Sequence, residues 1–383
     1  MSMKTPHNFL VNVDLPVFCV AFTPDNKLVV GGGGGPGRTG VNNKIILYSI
    51  DAPTEKLEEY AVHLLPSDED APMCLSVHPS EPIIACGINS QEQAIKAGNN
   101  KNVRIFKYGE DLIEPVESVQ TIGSSDPTDY QKVARFSHDG AYLVTGTTDG
   151  RLTVLQYPSL KVVFPPVNFD KSEVLDADVD MASQRIITVT SKTLRLLSAK
   201  DGSVLQTVDN PMLNKKTACE FRACRFGTGR TSDFLFTVVN PTSRTRGFIS
   251  KWRADTLQKL KTERVSKRPI TAFTISSQGH LLAYASSDLV VGIVDTDTLT
   301  LLVQIKNAHD FPITSLAFNP KDKILVSGSA DKQCRVLDMP PRFEKEPLNP
   351  FITLFFALFL ALIGFLFFEF FDPVTFARKS LRI

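Results

Sequence analysis

A short unit recurs along most of the chain. Each copy consists of an apolar alternating strand, a small polar turn and a second apolar strand. Alternation of apolar and polar residues between regularly spaced turns is typical of an all-β protein built from repeated sheets. The clearest copies span residues 17–33, 132–157, 270–295 and 313–338, and weaker copies span residues 73–89, 174–198 and 219–240.

The spacing of the copies indicates the architecture. One apolar residue precedes each turn, and these residues are mostly 43–49 positions apart: Phe22, Val77, Phe136, Val179, Phe226, Ile275 and Phe318. A period of about 40–45 residues with four strands is typical of WD-repeat blades. His309 and Asp331 occupy usual signature positions of such a blade. We therefore predict an all-β fold, a seven-bladed WD-repeat-like β-propeller over residues 1–340.

A propeller must also close its ring, because an open first or last sheet leaves unpaired strand edges. The early segment NFLVNVDL, residues 8–15, has the pattern of a strand and precedes the first copy. We expect it to supply the outer strand of the last blade.

The C-terminal part of the chain has a different composition. Residues 351–371 read FITLFFALFLALIGFLFFEFF and carry one charge, Glu369. A helix of this length measures ~31 Å, close to the ~30 Å hydrocarbon core of a bilayer. We predict one transmembrane helix over 351–371, after a Pro-rich linker at 341–350. The N-terminus has no apolar run typical of a signal peptide, so we expect a cytosolic propeller and a short lumenal tail at 372–383.

Composition argues against several other functions. The formal net charge of +1 does not favour nucleic acid as a partner. The six cysteines are scattered and predict free cytosolic thiols. No Ser-His triad motif and no set of His ligands is recognisable, so we expect no enzyme chemistry. The alternating Asp176, Asp178 and Asp180 are expected to fill blade edges and turns.

A glycine-rich segment interrupts the first copy. Residues 31–44 read GGGGGPGRTGVNNK, and we call this segment the glycine loop. Its Gly32, Gly37 and Thr39 imitate a phosphate loop, but Arg38 stands where that motif needs Lys, and a strand follows instead of a helix. Clustered glycines let backbone carbonyls converge, which suits a hard cation. Since no carboxylate neighbours the loop in sequence, a monovalent ion is favoured over Ca²⁺ or Mg²⁺.

The loop resembles that of a known family, the Sec-twelve-type membrane-bound exchange factors, which include prolactin regulatory element-binding protein. The matching residues are Gly32 to Gly35, Thr39, Gly40, Val41 and Asn43. Residues 98–108 and 307–314 also resemble the family. The resemblance implies a guanine-nucleotide exchange factor that activates a Sar-type small GTPase at the endoplasmic reticulum membrane and starts COPII coat assembly.

The resemblance also implies roles for residues of the loop. A potassium ion would order it through carbonyls of Gly34, Gly35, Gly37 and Thr39. Val41 would give the apolar contact to the GTPase and Asn43 the polar one, with Gly40 and Asn42 beside them. We expect Val41 and Asn43 to be solvated in the free loop.

Two other classes of function stay open. A membrane-tethered WD-repeat scaffold could serve cargo export without exchange activity. A propeller hydrolase would need catalytic side chains that converge at the central channel, and the sequence shows no such set.

Overall fold

The computed structural model describes residues 4–37, 40–209, 211, 213, 217–344 and 350–370. The chain divides into two compact units, of which Thr5–Arg342 holds all the strands described below. Helix α2, Pro350–Phe370, belongs to the other unit. Across the described residues, no helix meets the length and hydropathy expected of a membrane span. The predicted span over 351–371 therefore stays a prediction.

Seven antiparallel sheets of four or five strands make up the larger unit, in agreement with the predicted propeller. An early strand, Asn8–Asn12 (β1), precedes the first blade. The strands of blades one to three are as follows: Val17–Phe22 (β2), Leu28–Gly32 (β3), Lys44–Asp51 (β4) and Lys56–Leu64 (β5); Cys74–Val77 (β6), Ile83–Gly87 (β7), Val103–Tyr108 (β8) and Ile113–Val119 (β9); Gln131–Phe136 (β10), Tyr142–Thr147 (β11), Arg151–Gln156 (β12), Lys161–Val162 (β13) and Val167–Asn168 (β14). A short helix, Glu92–Lys96 (α1), lies between β7 and β8.

Blades four to seven follow the same order. Their strands are Asp176–Val179 (β15), Arg185–Val189 (β16), Thr193–Ser198 (β17) and Val204–Asp209 (β18); Cys219–Phe226 (β19), Phe234–Pro241 (β20), Gly247–Arg253 (β21) and Lys259–Ser266 (β22); Ile270–Ile275 (β23), Leu281–Ser286 (β24), Val290–Asp295 (β25) and Leu301–Ile305 (β26); Ile313–Phe318 (β27), Ile324–Ser329 (β28) and Gln333–Asp338 (β29). One 3₁₀ turn, Gly229–Thr231, precedes β20.

The ring closes as predicted. Strand β1 pairs antiparallel with β29, from Asn8 opposite Leu337 to Asn12 opposite Gln333. The predicted strand 8–15 is therefore observed as the outer strand of the last blade, over Asn8–Asn12. The first strand of each blade contacts that of the next around the ring, including β27 with β2. All seven sheets are thus joined without an open blade.

The core lies between neighbouring sheets. Apolar side chains of the middle strands are buried on both faces of each sheet, as in Leu28, Val29 and Val30. This is why the inner strands read as nearly continuous apolar runs, whereas the outer strand of most blades carries exposed polar residues. All six cysteines are free, as the sequence predicts, and all six are buried, which it does not predict.

Candidate functional site

The glycine loop connects β3 to β4 in the first blade, and its two ends are fixed to neighbouring segments. The Gly33 amide donates to the Pro16 carbonyl at 3.0 Å, and the Leu65 amide donates to the Asn43 carbonyl at 2.9 Å. The strand that follows the loop excludes the helix that a phosphate loop requires. Arg38 and Thr39 lie outside the described residues.

Asn43 lies inside the loop and not on its surface. Its side chain is buried, with the residue only 2% exposed. Its Oδ1 accepts from the Gly35 amide at 2.9 Å, and its Nδ2 donates to the carbonyls of Gly35 at 3.1 Å and Glu69 at 2.9 Å. The expectation of a solvated Asn43 was wrong, because this amide satisfies three backbone groups that would otherwise be left unpaired.

Gly33 is required by its close approach to this asparagine. Its φ is +149°, and a Cβ at this position would lie 2.2 Å from the Asn43 Oδ1. Gly35, Gly37 and Gly40 also have positive φ, of +77°, +125° and +77°, yet a Cβ on Gly37 or Gly40 would meet nothing within 4 Å. Gly37 and Gly40 therefore serve the backbone path of the loop, whereas Gly33 serves its packing.

The tip of the loop is more accessible. Gly40 and Asn42 are exposed, whereas Val41 is half-buried and packs against the apolar cluster shared by the first and last blades. The expectation of a solvated Val41 was therefore wrong for part of its surface. Asn42, Val41 and Gly40 lie consecutively above the buried Asn43.

A groove runs beside the tip. It has a volume of about 860 Å³ and lies between the loop, the connection from β5 to β6, and α1 of the second blade. Gly40 to Asn43 line one side, Ser67, Asp68 and Asp70 line the second, and residues 89–93 line the third. The sequence did not predict α1 or its place beside the loop.

Part of the second-blade segment that resembles the family supports α1. Asn100 is buried and donates through Nδ2 to Asn89 Oδ1 at 3.0 Å, while its Oδ1 accepts from the Ser90 amide. Asn102 is also buried and accepts from the Thr121 and Ile122 amides. These asparagines hold the loop that carries α1 and are not themselves an exposed site.

One carboxylate, that of Asp70, approaches the glycine loop from the connection between blades one and two, and Glu69 precedes it on the same connection. Asp70 Oδ1 would lie 3.6 Å from a Cβ at Gly35, and burial raises the pKa of Asp70. Glu69 Oε1 pairs with Arg104 at 2.8 Å, while its buried Oε2 has no hydrogen-bond partner in the described part of the chain. The fold therefore places a carboxylate near the glycine loop, although none neighbours the loop in the sequence. No group of three or more His, Cys, Asp or Glu side chains suited to a metal occurs among the described residues.

A Ser-His-Asp arrangement exists in the last blade, although the sequence did not predict it. His309 Nδ1 lies 2.9 Å from Asp331 Oδ2, and its Nε2 lies 2.8 Å from Ser327 Oγ. Ser327 has no exposed surface, and burial lowers the pKa of His309. An inaccessible hydroxyl cannot attack a substrate, so these residues act as a structural link between the β26–β27 connection and the β28–β29 hairpin.

Asp176 and Asp178 lie on β15, an edge strand of the fourth blade, as expected, but both are buried there. Asp176 Oδ2 pairs with Arg225 and accepts from the Cys224 amide at 3.1 Å. Asp178 Oδ2 accepts from the Phe226 amide at 2.9 Å. Asp180 does lie at a turn, where it pairs with Arg185.

Comparisons with known proteins agree with this fold. The model of the family described as WD domain, G-beta repeat matches residues 301–338, which is the segment from β26 to β29. A chain from a structure titled "Crystal Structure of Mitotic Checkpoint Complex" has a TM-score of 0.66 and 13% identity, over 88% of this chain and 94% of that one. At this identity the likeness concerns the fold alone.

Relatives with a named activity cover most of the chain. It is 24% identical to "Guanine nucleotide-exchange factor SEC12" of Candida glabrata, over 88% of this chain and 73% of the relative. It is 26% identical to "Guanine nucleotide-exchange factor SEC12" of Mus musculus, over 87% of this chain and 91% of the relative. The resemblance indicated by the loop and the repeats is confirmed: over nearly all of its length, this chain is similar to the SEC12 guanine nucleotide-exchange factors.

Proposed function

We propose that this chain is a guanine-nucleotide exchange factor that activates a Sar-type small GTPase at the endoplasmic reticulum membrane and so starts COPII coat assembly. The similarity to SEC12 proteins of a yeast and a mammal supports exchange activity on a small GTPase. The finer assignment, to a Sar-type GTPase and this membrane, follows the family resemblance of the loop.

The observation that carries the proposal is an exposed loop tip on a fixed base. Gly40 and Asn42 are exposed, while Asn43 beneath them is hydrogen-bonded to two separate segments. A partner that binds such a tip loses little free energy to ordering it, because the base is already held. The groove of about 860 Å³ beside the tip offers room for a segment of the partner.

Exchange requires no bond chemistry from this chain. A factor that binds the nucleotide-free GTPase more tightly than the loaded one lowers nucleotide affinity by the same factor. In this account Gly40, Val41 and Asn42 contact the GTPase. Asn43 acts through the loop, because its hydrogen bonds position the tip.

We also propose that the loop holds a potassium ion. Gly34, Gly35 and Gly37 would supply carbonyl oxygens, and Thr39, the fourth expected ligand, lies outside the described residues. Asp70 supports this proposal, because its carboxylate is close to Gly35 and would balance the charge of the ion. The ion would supply positive charge that holds the carbonyls and this carboxylate together.

We also propose that residues 351–371 anchor the chain. The described side chains of α2, from Phe355 to Phe367, are exposed and almost all apolar. Exposed apolar surface on every side of a helix is costly in water and favourable in lipid. The propeller would then face the cytosol, where the GTPase encounters it.

The experiment is a nucleotide-release assay with the full chain in detergent. A Sar-type GTPase and, as the control, a Ras-type GTPase are loaded with a fluorescent guanine nucleotide. We expect accelerated release from the Sar-type protein alone, and slower release when a bulky organic cation replaces potassium. Release at the intrinsic rate from both GTPases would contradict exchange activity and favour a scaffold for cargo export.

A further inference from the structure

The central channel of the propeller is chemically uneven. It has a volume of about 390 Å³ and is enclosed by the first strand of the blades. Four cationic residues and one carboxylate line it, and all five come from blades three to five: Lys132, Arg135, Asp176, Arg222 and Arg225. The lining from the other blades carries apolar side chains, thiols and hydroxyl groups, such as Phe18, Cys74 and Ser315.

The carboxylates near these cationic residues already have hydrogen-bond or ion-pair partners. Glu173 pairs with Lys132 at 2.9 Å, and Asp176 pairs with Arg225 while also accepting two backbone amides. Asp178 accepts a backbone amide through Oδ2 and leaves only Oδ1 near Arg135, 3.7 Å from its Nε.

Two cationic groups are therefore left without adequate partners. The Arg222 guanidinium has no hydrogen bond or ion pair with any residue in the described part of the chain. Arg135 lies beyond hydrogen-bond distance of both aspartates, at 3.7 Å and 4.0 Å, and its buried Nε is unpartnered across the same residues. Burial and, to a smaller extent, the nearby charge of Arg225 lower the pKa of Arg135. The positive charge of Arg135 is therefore poorly compensated in this site, and a bound anion would compensate it.

The backbone aims Arg222 into the channel. The register of the β19–β20 pair shifts between Phe221 and Ala223, which makes Arg222 a bulge residue. The same shift occurs in β10 at Lys132 and in β27 at Thr314. A bulge turns a side chain away from the regular alternation of its strand, and Arg222, Lys132 and Thr314 all line the channel. These residues lie in the first half of their strands, toward the face that carries the glycine loop.

Arg135 lines the channel, and its Nε is a buried polar atom without a hydrogen-bond partner among the residues that the structure describes. Unpartnered buried polar atoms are uncommon in native proteins. The guanidinium groups of Arg135 and Arg222 can both donate hydrogen bonds to a ligand in the channel.

We propose that the central channel is a binding site for a small, soluble, phosphate-bearing anion, held by Arg222 and Arg135 on one wall. Guanidinium groups match the geometry of phosphate oxygens and bind them in charge-assisted pairs. The volume lies at the lower end of the range for small-molecule sites, about 300–1,000 Å³, so a compact polyanion fits better than a nucleotide with its base.

The proposal is tested by titration calorimetry of the full chain in detergent with inorganic pyrophosphate. We expect saturable binding with one site, weakened at least tenfold by Arg222→Gln. Arg253→Gln removes an exposed arginine from the outer part of the fifth blade and is the matched control, which should bind as the unaltered chain does. Lys132→Gln removes another cationic group that lines the channel and breaks only the ion pair with Glu173. It should also weaken binding, and it keeps the test valid if the Arg222 variant fails to fold.

The source of the phosphate group is tested in a second arm. Inositol 1,4-bisphosphate should compete with pyrophosphate, and a short-chain phosphatidylinositol 4-phosphate should compete no better than this free headgroup. Tighter binding of the lipid would overturn a soluble ligand. Absence of pyrophosphate binding, or equal loss in the Arg222 and Arg253 variants, would overturn the site itself.

Discussion

Asn43 and Gly35 are joined by two hydrogen bonds across the glycine loop. The Gly35 amide donates to Asn43 Oδ1 at 2.9 Å, and Asn43 Nδ2 donates back to the Gly35 carbonyl at 3.1 Å. The pair closes the base of the loop and leaves Gly40 and Asn42 exposed above it. Asn43 is therefore a structural residue that shapes the tip.

Asn43→Ala should destabilise the propeller. It leaves the Gly35 amide and the Glu69 carbonyl without their partner, a loss of about 1–3 kcal/mol for buried polar groups. The measurement is urea unfolding followed by tryptophan fluorescence. Asn42→Ala is the matched control, and its exposed side chain predicts a change within about 0.5 kcal/mol. Equal midpoints for the two variants would contradict the structural role of Asn43.

His7 connects three parts of the ring and should make stability depend on pH. Its Nε2 lies 2.8 Å from Glu55 Oε1, and its Nδ1 lies 2.9 Å from Asp338 Oδ2. The hydrogen bond with Asp338, and after it the one with Glu55, raises the pKa of His7 above its usual value of 6.5. A group whose pKa is raised by folding contributes its full stabilisation at pH values below its pKa in the unfolded chain. This contribution is lost as the pH rises through the folded pKa.

The difference in melting temperature between the unaltered chain and His7→Gln, measured from about pH 5 to pH 9, checks this dependence. We expect the largest difference at the acidic end and a decline toward the alkaline end. Because all three side chains are well exposed, the effect should shrink at high salt. A difference that grows with pH would contradict the assignment.

Strand β1 should be essential to the stability of the ring. Deletion of residues 1–16 removes all the backbone pairing from Asn8 to Asn12 and exposes the edge of β29. We expect a sharp fall in melting temperature and an increased tendency to aggregate, measured by calorimetry and light scattering. An unchanged melting curve would show that β1 adds nothing to closure.

The anchor has its own test. A chain that ends at Leu348 lacks residues 351–371 and should leave the membrane fraction after a salt wash, while the full chain stays. Fusion of residues 349–383 to a soluble reporter is the reciprocal control and should retain the reporter on membranes. Persistent sedimentation of the truncated chain would contradict the span.

The fold could be predicted because its signals are local. Strand alternation and turns each depend on a few consecutive residues, and the 43–49-residue spacing is the distance along the chain between such local signals. The place of β1 followed from the need to close a ring. The burial of Asn43 could not be predicted in this way. It depends on the Glu69 carbonyl, 26 residues further along the chain, and an asparagine after a glycine run otherwise indicates an exposed turn.

The same limit explains the other differences. Asp70 reaches the glycine loop, and Ser327 reaches His309, only because separate blades and hairpins fold together. Asp176 meets Arg225 across 49 residues, so its buried pairing has no signature in the sequence around it. Alternation within one strand says which face a residue occupies, but not what the next blade brings to that face.

The most direct test of the central claim compares loop-tip variants in nucleotide release from a Sar-type GTPase. Val41→Ala should remove apolar contact worth roughly 1–2 kcal/mol, which slows exchange by roughly 5- to 30-fold. Val116→Ala, at a 58% exposed position on the outer strand of the second blade, is the matched control and should exchange at the full rate. Because Val41 is half-buried, unfolding curves of both variants must show the same folded fraction at the assay temperature. The account predicts slow exchange for Val41→Ala alone, and full exchange activity in that variant would contradict it.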